Sequence, residues 1–489
     1  MAPRDVLAGL DPPALWAHFS NITAIPRRSG QEAAIAEYIA HWAVSYGFPS
    51  RRDAPGNICV YVPPSKESPG PRTVALQAHL DMVCIRAEKA ASDPAAGSIE
   101  IVREGQWLVA PNSTLGADNG IGIAAAMSIA ESEDAPHGPL ELLFTVEEET
   151  TGKGADGLDP SLIQAKVMVN LDAETSGVLD IGSAGSKWVG LRWPAPPESI
   201  PRSWLVVDIA LSGLCGGHSG LEIGRNRLNG IKGIVWTIRR IPRDITFRLC
   251  AIEGGDACNA IPMRAHATIA FPPAERPNLE KHLAAAGSAL KTRFAQTDPG
   301  LSLSMESIAS QEAKCWSEES CARLLDLLAV VPSGVIAMEQ VAPDIVETSN
   351  NLGIVALKVE GLEIDCLSRS SVAAALEEAI TSIESAARLA GADFTHSSRG
   401  LPPWRVASDS AALATVQAAY RDLFSRDPRL VTVHAGVESG LIQQRIPGLQ
   451  IVSLGPDIQG AHTVGERVNI ASVVDFYNLL TEVVQRLAR

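Results

Sequence analysis

The apolar positions between residues 14 and 190 alternate between short continuous runs and longer helical stretches. The runs "RTVALQA", "PLELLFTVEE" and "AKVMVNLD" are rich in apolar and β-branched residues and predict three strands. The stretch "QEAAIAEYIAHWAVSYG" predicts an amphipathic helix that ends at Gly47, and "NGIGIAAAMSIAES" predicts a second helix. Strands that are separated by helices predict an α/β layer with a largely parallel central sheet.

The composition changes at the proline-rich stretch "WPAPPESIPRSW" (193–204), which predicts a domain boundary. Beyond it, strands such as "WLVVDIALSGL" and helices such as "LNGIKGIVWTIRRI" predict an α+β region, whose elements could form two lobes. After about residue 392 the first pattern resumes and closes with the helix "ASVVDFYNLLTEVVQRLAR". We therefore predict an α/β domain, built from 1–195 and 392–489, that is interrupted by an inserted α+β domain over 196–391.

Length and composition restrict the class of protein. A chain of 489 residues is too long for one ordinary core, and 46% hydrophobic with 20% charged residues is typical of a soluble globular protein. The net charge of −15 argues against nucleic acid as a partner. The sequence also shows no basic amphipathic segment that would bind a membrane surface. We find no signal peptide and no apolar run near the roughly 20 residues that span a bilayer.

The eight cysteines are scattered and contain no CxxC pair. This spacing is typical of reduced thiols rather than of a disulfide framework. Together with the absence of a targeting segment, it predicts a cytoplasmic protein.

Polar residues follow several of the predicted strands or begin a helix. His79 and Asp81 end the strand in "LQAHLDMV" and point the same way on an extended chain. The other clusters are Asp118 in "TLGADNGIGIA", Glu147, Glu148 and Glu149 in "LLFTVEEETTGKGA", Asp172 in "VNLDAE" and His462 in "GPDIQGAHTVGERV". Each acidic cluster alone is typical of a solvated turn. The His79–Asp81 pair alone is typical of a core histidine whose hydrogen bond is satisfied by a nearby carboxylate. Because sites in open α/β sheets form beyond the carboxyl ends of the strands, together they predict one crevice.

The residue types of these clusters narrow the chemistry. Two histidines with several carboxylates and no cysteine suit zinc or a similar divalent ion. More carboxylates than one ion needs indicate a two-metal site, in which a shared carboxylate bridges ions about 3.5–4 Å apart. Such a pair would activate a bridging water and polarise a carbonyl group, and a spare glutamate would serve as general base.

With these motifs the sequence resembles the dinuclear zinc dipeptidases, and within them the aminoacyl-histidine dipeptidases (peptidase D, carnosinase-like enzymes). The stretches that match, in the family's order, are "LQAHLDMV", "TLGADNGIGIA", "EEETTGKGA", "NLDAE", "GGHSGLEIGRN", "CNAIP", "HAGVESGLI" and "SLGPDIQGAHTVGERV". The resemblance implies a split catalytic domain with a zinc-peptidase-like central sheet and an inserted lid. It also implies hydrolysis of dipeptides, preferentially Xaa-His such as β-alanyl-histidine, with two Zn²⁺ per chain and Co²⁺ or Mn²⁺ as substitutes.

The resemblance also assigns metal ligands, residue by residue. It implies that Asp118 bridges both ions. His79 and Asp172 complete one site, and Glu149 and His462 complete the other.

Three further acidic residues near the implied ligands receive different roles. Asp81 would hold the His79 ring in its ligand orientation. Glu148 would take the proton from the bridging water and pass it to the leaving amine. Glu147 is expected to be an ordinary surface residue.

Four residues are candidates for contacting the substrate. His218 in "GGHSG" matches the lid histidine that stabilises the tetrahedral oxyanion, although it could be a plain loop residue. Asn259 in "CNAIP" and Arg369 in "CLSRSS" are candidates for the substrate backbone and its carboxylate, and a structural ion pair is the alternative for Arg369. Glu438 in "HAGVESG" is a candidate counter-charge for the free amino group, with a structural role as the alternative.

Other functions remain open at the level of sequence. One is an amide hydrolase of the same clan, such as an N-acyl-amino-acid deacylase or a tripeptidase. Another is an inactive binding protein on this fold, against which the intact Glu148 and ligand set argue. The expected partner is a small peptide substrate, and His218 could act within its own chain or across the subunits of a homodimer.

Overall fold

A computed structural model describes residues 6–489 apart from positions 89, 92, 98, 134 and 408 and the stretches 195–197, 309–313, 340–343 and 359–360. The side chains of 396–399 are also outside the described part. The chain forms two compact units, of which the first contains Met1–Gly182, Trp404–Thr432 and Val437–Arg489. The second contains Ser183–Pro403 and Val433–Gly436. The predicted boundary between residues 195 and 196 lies outside the described residues, and the one between 391 and 392 stays a prediction.

Helices and strands alternate along the described residues. In chain order, the helices are α1 Pro13–Ile22, α2 Ala33–Ser45, α3 Ala117–Glu131, α4 Lys153–Asp156, α5 Gly230–Arg239, α6 Arg276–Arg293, α7 Glu318–Val330, α8 Ala373–Ala390, α9 Ala411–Phe424, α10 Glu438–Arg445 and α11 Ile470–Leu487. The strands are β1 Ser50–Arg52, β2 Ile58–Val62, β3 Val74–His79, β4 Val102–Glu104, β5 Trp107–Val109, β6 Leu140–Thr145, β7 Val167–Asn170, β8 Val178–Ser183, β9 Gly185–Trp193, β10 Glu198–Ser199, β11 Leu205–Ser212, β12 Arg248–Gly254, β13 Ala265–Phe271, β14 Ser302–Ser307, β15 Lys314–Cys315, β16 Gly334–Met338, β17 Val346–Lys358, β18 Gly361–Ser370, β19 Asp393–Leu401, β20 Trp404–Arg405, β21 Arg429–Val433, β22 Gln450–Ser453, β23 Ile458–Gln459 and β24 Arg467–Asn469.

The first unit is built on a sheet with the strand order β1-β2-β6-β3-β7-β22-β8-β20, in which β21 also pairs with β8. The central strands β6, β3, β7 and β22 run parallel, and β1, β2 and β8 are antiparallel to their neighbours. Every residue of β3 and β6 is buried, as expected for strands that are covered on both faces. This arrangement confirms the predicted α/β layer and its largely parallel centre.

The helix α3 belongs to the interior of the first unit. Residues 117–130 are all buried, so no face of this helix is left to solvent before its last residue. A helix that is apolar all round is typical of a core position. It begins directly at the edge of the sheet where the predicted site residues are found.

The second unit contains another large sheet, in the order β14-β11-β13-β12-β17-β18-β9-β19, with β16 paired to β17. Its strand pairs are antiparallel. The apolar faces of α5, α6, α7 and α8 share one buried core with the sheet, through residues such as Ile234, Leu283, Leu324 and Ile380. Helices on an antiparallel sheet make an α+β arrangement, which confirms the predicted class of the inserted region.

The expectation that all the cysteines are free thiols is wrong for one pair. Cys250 in β12 and Cys315 in β15 are joined by a disulfide. These residues are 65 positions apart, and next to them the backbone N–H of Trp316 donates to the carbonyl of Leu249 at 2.9 Å. The other six cysteines are free. Among the described residues, no helix has the length and apolar character needed to cross a membrane.

Candidate active site

The carboxyl ends of β6, β3 and β7 lie next to one another because these strands run parallel. His79, the last residue of β3, is in register with Thr145, the last residue of β6. The chain continues from these strand ends into Asp81, into the three glutamates 147–149 and, after β7, into Asp172. One edge of the sheet therefore receives polar side chains from three strands.

Asp118 reaches the same edge from the first turn of α3, and its two carboxylate oxygens face different histidines. Oδ1 lies 2.9 Å from Nε2 of His79, and Oδ2 lies 3.1 Å from Nε2 of His462. The His79 nitrogen is also 3.2 Å from Oδ1 of Asp172, and the His462 nitrogen is 2.8 Å from Oε2 of Glu149. The structure thus brings together all five residues that the sequence predicts as metal ligands, in two groups that share Asp118.

Three of the five residues are carboxylates, those of Asp118, Glu149 and Asp172. Among the described residues, their ion-pair partners are the two histidines. Burial alone would raise the pKa of Asp118, but hydrogen bonds to His462 and His79 outweigh it and hold that pKa well below its usual range. Hydrogen bonds to Asp118 and Glu149 raise the pKa of His462 to about 11. The cluster as a whole is acidic, and it favours positive charge at this edge.

The donor set fits divalent metal ions. Imidazole nitrogens and carboxylate oxygens are zinc ligands with bonds of about 2.0–2.2 Å, so two ligand atoms on one tetrahedral ion are roughly 3.3 Å apart. The nitrogen–oxygen separations in the two groups are 2.8–3.2 Å. In addition, one ligand atom each from His79, Asp118 and Glu149 lies within 4.8 Å of the others. A carboxylate with one oxygen in each group fits a pair of ions rather than a single one.

Asp81 connects two of the ligand-bearing segments. Its Oδ1 is 3.4 Å from Nδ1 of His79, on the ring edge opposite to Asp118. The same carboxylate accepts hydrogen bonds from the backbone N–H groups of Glu148 at 3.0 Å and Glu149 at 3.1 Å, and from the Ser29 hydroxyl at 2.7 Å. One fully buried side chain thereby fixes the orientation of an imidazole and the position of the glutamate turn.

Glu148 is the glutamate of the triplet whose environment is most perturbed. Burial raises its pKa well above the usual range, and the negative charges of Asp172, Glu438 and Glu149 act in the same direction, against His79. Glu147 differs, because its carboxylate forms a salt bridge of 2.9 Å with the exposed Lys153. The two neighbours therefore differ: Glu148 lies among the charges of the cluster, whereas Glu147 pairs with Lys153.

Glu438 lies in the first unit, at the start of α10, and is buried. Its Oε1 accepts hydrogen bonds from the Gln77 amide and, at 3.0 Å, from the Thr145 hydroxyl. Its Oε2 is buried and has no hydrogen-bond partner among the described residues. Burial raises the pKa of Glu438 to about 7, although the charge of His79 opposes the shift. One oxygen of this carboxylate is thus anchored and the other is left without a donor.

The sequence analysis missed Glu174, which follows Asp172 by two residues. Burial of its carboxylate, together with the negative charges of Asp118 and Asp172, raises its pKa to about 8. The signal that could have identified it is the acidic pair in "NLDAE" itself, of which only the first member was singled out. Two further buried charged residues near the cluster, Arg27 and Glu466, were also missed.

The remaining candidates, His218, Asn259 and Arg369, belong to the second unit. Nδ1 of His218 accepts hydrogen bonds from the backbone N–H groups of Gly220 at 3.3 Å and Leu221 at 3.2 Å. An imidazole that accepts at Nδ1 carries its proton on Nε2, where it is a donor. Burial and the charge of Arg369 lower the pKa of His218, which favours this neutral form. Asn259 is exposed, and its carbonyl accepts from Ser219.

Arg369 lies on β18, is 6% exposed and has no carboxylate partner among the described residues. Its Nε is buried without a hydrogen-bond acceptor there, and burial lowers its pKa to about 10. The alternative of a structural ion pair therefore finds no partner in the described part of the chain. A buried, unpaired guanidinium is costly unless it meets an anion.

Comparison with known proteins adds an independent finding. A model of peptidase family M20/M25/M40 matches residues 75–486. The chain is 35% identical over 481 residues to the cytosol non-specific dipeptidase of Escherichia coli strain K12, covering 98% of this chain and 99% of that protein.

Solved structures agree with this assignment. The crystal structure of aminoacylhistidine dipeptidase from Vibrio alginolyticus is similar with a TM-score of 0.88 and 31% identity, covering 98% of this chain and 97% of that one. The aminopeptidase PepT from Bacillus cereus shares the fold, with a TM-score of 0.56 and 15% identity over 98% and 100% of the two chains. The chain therefore belongs to peptidase family M20/M25/M40 and is a metallopeptidase.

Proposed function

We propose that the protein hydrolyses free dipeptides in a metal-dependent reaction, with a preference for Xaa-His substrates such as β-alanyl-histidine. The observation that carries the proposal is the Asp118 carboxylate shared between His79 and His462, with Glu148 close to the charges of His79 and Asp172. The E. coli and Vibrio relatives are both named as dipeptidases. Only the Vibrio name specifies histidine, so the length of the substrate has broader support than its second residue.

The ligand set supports two divalent ions, which we propose to be Zn²⁺, with Co²⁺ or Mn²⁺ as substitutes. His79 and Asp172 would hold one ion, Glu149 and His462 the other, and Asp118 both. When bound, such a pair polarises the scissile carbonyl and lowers the pKa of a bound water. Asp81 keeps Nε2 of His79 directed at the cluster, since it occupies the opposite edge of the ring.

Glu148 is the proposed general base. A base must accept the proton of the attacking water and then give it to the leaving amine, so its pKa has to be near the working pH. Burial and the surrounding carboxylates raise the pKa of Glu148 in that direction. The backbone N–H bond to Asp81 fixes the position of this residue in the glutamate turn.

Two buried groups support a substrate with both ends free. The unsatisfied Oε2 of Glu438 can accept a hydrogen bond from a substrate ammonium group. The unpaired Arg369 can bind a carboxylate with two parallel hydrogen bonds. We propose these as the recognition groups for the amino and carboxyl ends, with Asn259 as a contact to the substrate backbone. His218 is the proposed donor to the developing oxyanion, through its Nε2–H.

The place of the protein in the cell and its assembly are also proposals. A cytoplasmic location has its support in the name of the E. coli relative, a cytosol dipeptidase. A small peptide is the proposed partner, and a homodimer stays a prediction.

The test is a hydrolysis panel with one metal-loaded preparation. It compares β-alanyl-histidine, a second Xaa-His dipeptide, a dipeptide without histidine, and the amidated and N-acetylated forms of β-alanyl-histidine. We expect rapid cleavage of the free dipeptides, fastest for Xaa-His, and at least a tenfold loss for either blocked form. Equal cleavage of the acetylated form would favour an N-acyl-amino-acid deacylase, and equal rates for all free dipeptides would remove the histidine preference alone.

A further inference from the structure

Two buried charged residues near the proposed metal centre have no part in the proposed mechanism. Arg27 is fully buried and Glu466 is 2% exposed. Neither side chain is a predicted ligand. Burying a charge is costly unless hydrogen bonds compensate it, so the groups that these two side chains contact show what they do.

The carboxylate of Glu466 accepts hydrogen bonds from four successive backbone N–H groups. Oε2 receives those of Leu115 at 2.7 Å and Gly116 at 3.0 Å, and Oε1 receives those of Ala117 at 2.8 Å and Asp118 at 3.4 Å. These amides form the start of α3, which has no side-chain cap of its own. A carboxylate at a helix N-terminus both satisfies free donors and complements the helix dipole.

This contact also connects two ligand-bearing segments. Glu466 follows His462 by four residues in the same loop, and its carboxylate holds the turn that delivers Asp118. The backbone of the loop is tied to the same region, because the N–H of Gly465 donates to the carbonyls of Ala110 and Ser113, each at 3.1 Å. The relative position of Asp118 and His462 therefore depends on Glu466.

Arg27 makes the matching connection through carbonyl groups. One terminal nitrogen donates to the carbonyls of Leu80 at 3.1 Å and Asp81 at 2.7 Å, and the other donates to that of Gly116 at 2.5 Å. The segment after His79 is thus tied to the turn before Asp118. Gly116 has φ +69°, and a Cβ on it would lie 2.5 Å from the guanidinium, so both its conformation and the space around it require glycine.

We infer that Arg27 and Glu466 are positioning residues that form a loop clamp, which sets the spacing of His79, Asp118 and His462 and thereby the affinity and geometry of the metal centre. This inference rests on the proposed function, because it concerns how the proposed metal ligands are held in position. The hydrogen bonds of the clamp are all made to backbone atoms, so the ligands keep their own side-chain hydrogen bonds. Supporting groups of metal ligands commonly change affinity 10- to 100-fold when they are altered.

The test uses the full chain loaded with Co²⁺, whose visible absorption reports ligand geometry. Glu466→Gln keeps the size of the side chain but places an amide NH₂ against backbone donors, so two of the four hydrogen bonds are lost. We expect Co²⁺ to bind 10- to 100-fold more weakly in competition with a chelator, and the absorption band to change. Arg27→Lys should act in the same direction, because one ammonium group cannot reproduce the two-sided contact of the guanidinium with the carbonyls of Leu80 and Asp81 and with that of Gly116.

The chain offers a matched control in Glu141. This buried glutamate also accepts backbone N–H bonds, from Gln164 at 3.0 Å and Ala165 at 3.0 Å, but in a segment without predicted ligands. Glu141→Gln should lower the melting temperature and leave the Co²⁺ spectrum and affinity within twofold of wild type. If Glu466→Gln fails to fold, Glu466→Asp provides the same readouts, with a shortened reach and an intact charge.

The outcomes separate the clamp from the proposed function. Wild-type protein that binds no Co²⁺ would overturn both. Wild-type binding together with unchanged affinity and spectrum in Glu466→Gln would overturn the clamp alone. Equal losses in Glu466→Gln and Glu141→Gln would also overturn it, because they would show a general effect of stability.

Discussion

The proposed metal centre and the His218–Arg369 region of the second unit have opposite electrostatic character. In the first, the carboxylates of Asp118, Glu149 and Asp172 have two histidines as their ion-pair partners among the described residues. In the second, the buried Arg369 has no carboxylate partner in the described part, and the pKa of His218 is lowered by burial and by that arginine.

The difference indicates the charge of the ligand that each region would bind. A carboxylate cluster is stabilised by cations, and a buried guanidinium by an anion. Under the proposed function, divalent ions would neutralise the carboxylates of the metal centre, and the carboxylate of a substrate would pair with Arg369 in the second region. Removing a residue from the first region should therefore affect metal binding, and removing one from the second should affect the substrate and leave the metal in place.

The largest effect is expected for Asp118→Ala. Because this carboxylate faces both histidines, its loss should release both metal ions and reduce activity below detection. Elemental analysis and activity assays of purified protein measure the two effects. Asp427→Ala is the control, since Asp427 forms an exposed ion pair with Arg421. A variant that kept two ions per chain would contradict the bridging role and would weaken the contrast between the regions.

Glu148→Gln should separate metal binding from turnover. The amide cannot accept a proton, so kcat should fall by a factor on the order of 10² to 10⁴, the usual contribution of a positioned base. Both metal ions should remain bound. Glu147→Gln is a matched control, because that neighbour pairs with the exposed Lys153 and should change kcat little. Full activity of the Glu148→Gln variant would exclude it as the base.

The sequence predicted the elements around the first region because the relevant signals are local. His79 ends β3 and Asp172 follows β7, two strands that are visible as apolar runs, and α3 is visible as a longer apolar stretch. Periodicity therefore predicted the α/β layer and the polar edge together.

Arg27 and Glu466 could not be found in this way. Both side chains bond to backbone atoms, and because every residue has a backbone, no sequence motif marks the partner. The bonded residues are also far apart in the chain, by 351 positions for Leu115 and Glu466. The strands β9 and β16 were also missed, since "GSKWVGLRW" mixes polar and apolar residues and "GVIAM" is a short, largely exposed strand. The Cys250–Cys315 disulfide joins residues 65 positions apart, and cysteine spacing alone does not reveal that these two approach each other.

His218→Ala tests the second region directly. If Nε2–H stabilises the oxyanion, its loss should lower kcat by about 10²–10³, while KM changes much less, because the donor is needed mainly in the transition state. The metal content should equal that of wild type. His266→Ala is the control, since His266 is a partly exposed histidine of the same unit that pairs with Asp208. A higher KM with unchanged kcat would assign His218 to binding of the ground state.

The smallest effect concerns the pH dependence of stability in the second unit. Burial lowers the pKa of His434 to about 4, and the charges of Arg369 and His218 act in the same direction. The unfolded chain, with a histidine pKa near 6.5, therefore binds more protons than the folded one between about pH 6.5 and 4. The contribution of the neutral His434 to the free energy of unfolding should be fully present above about pH 6.5. It should decrease as the pH falls, by about 2 kcal/mol at pH 5. Urea unfolding at pH 7.5 and pH 5 of the wild type and of His434→Gln measures this. Equal pH dependence in the two proteins would show that His434 is not the buried neutral group.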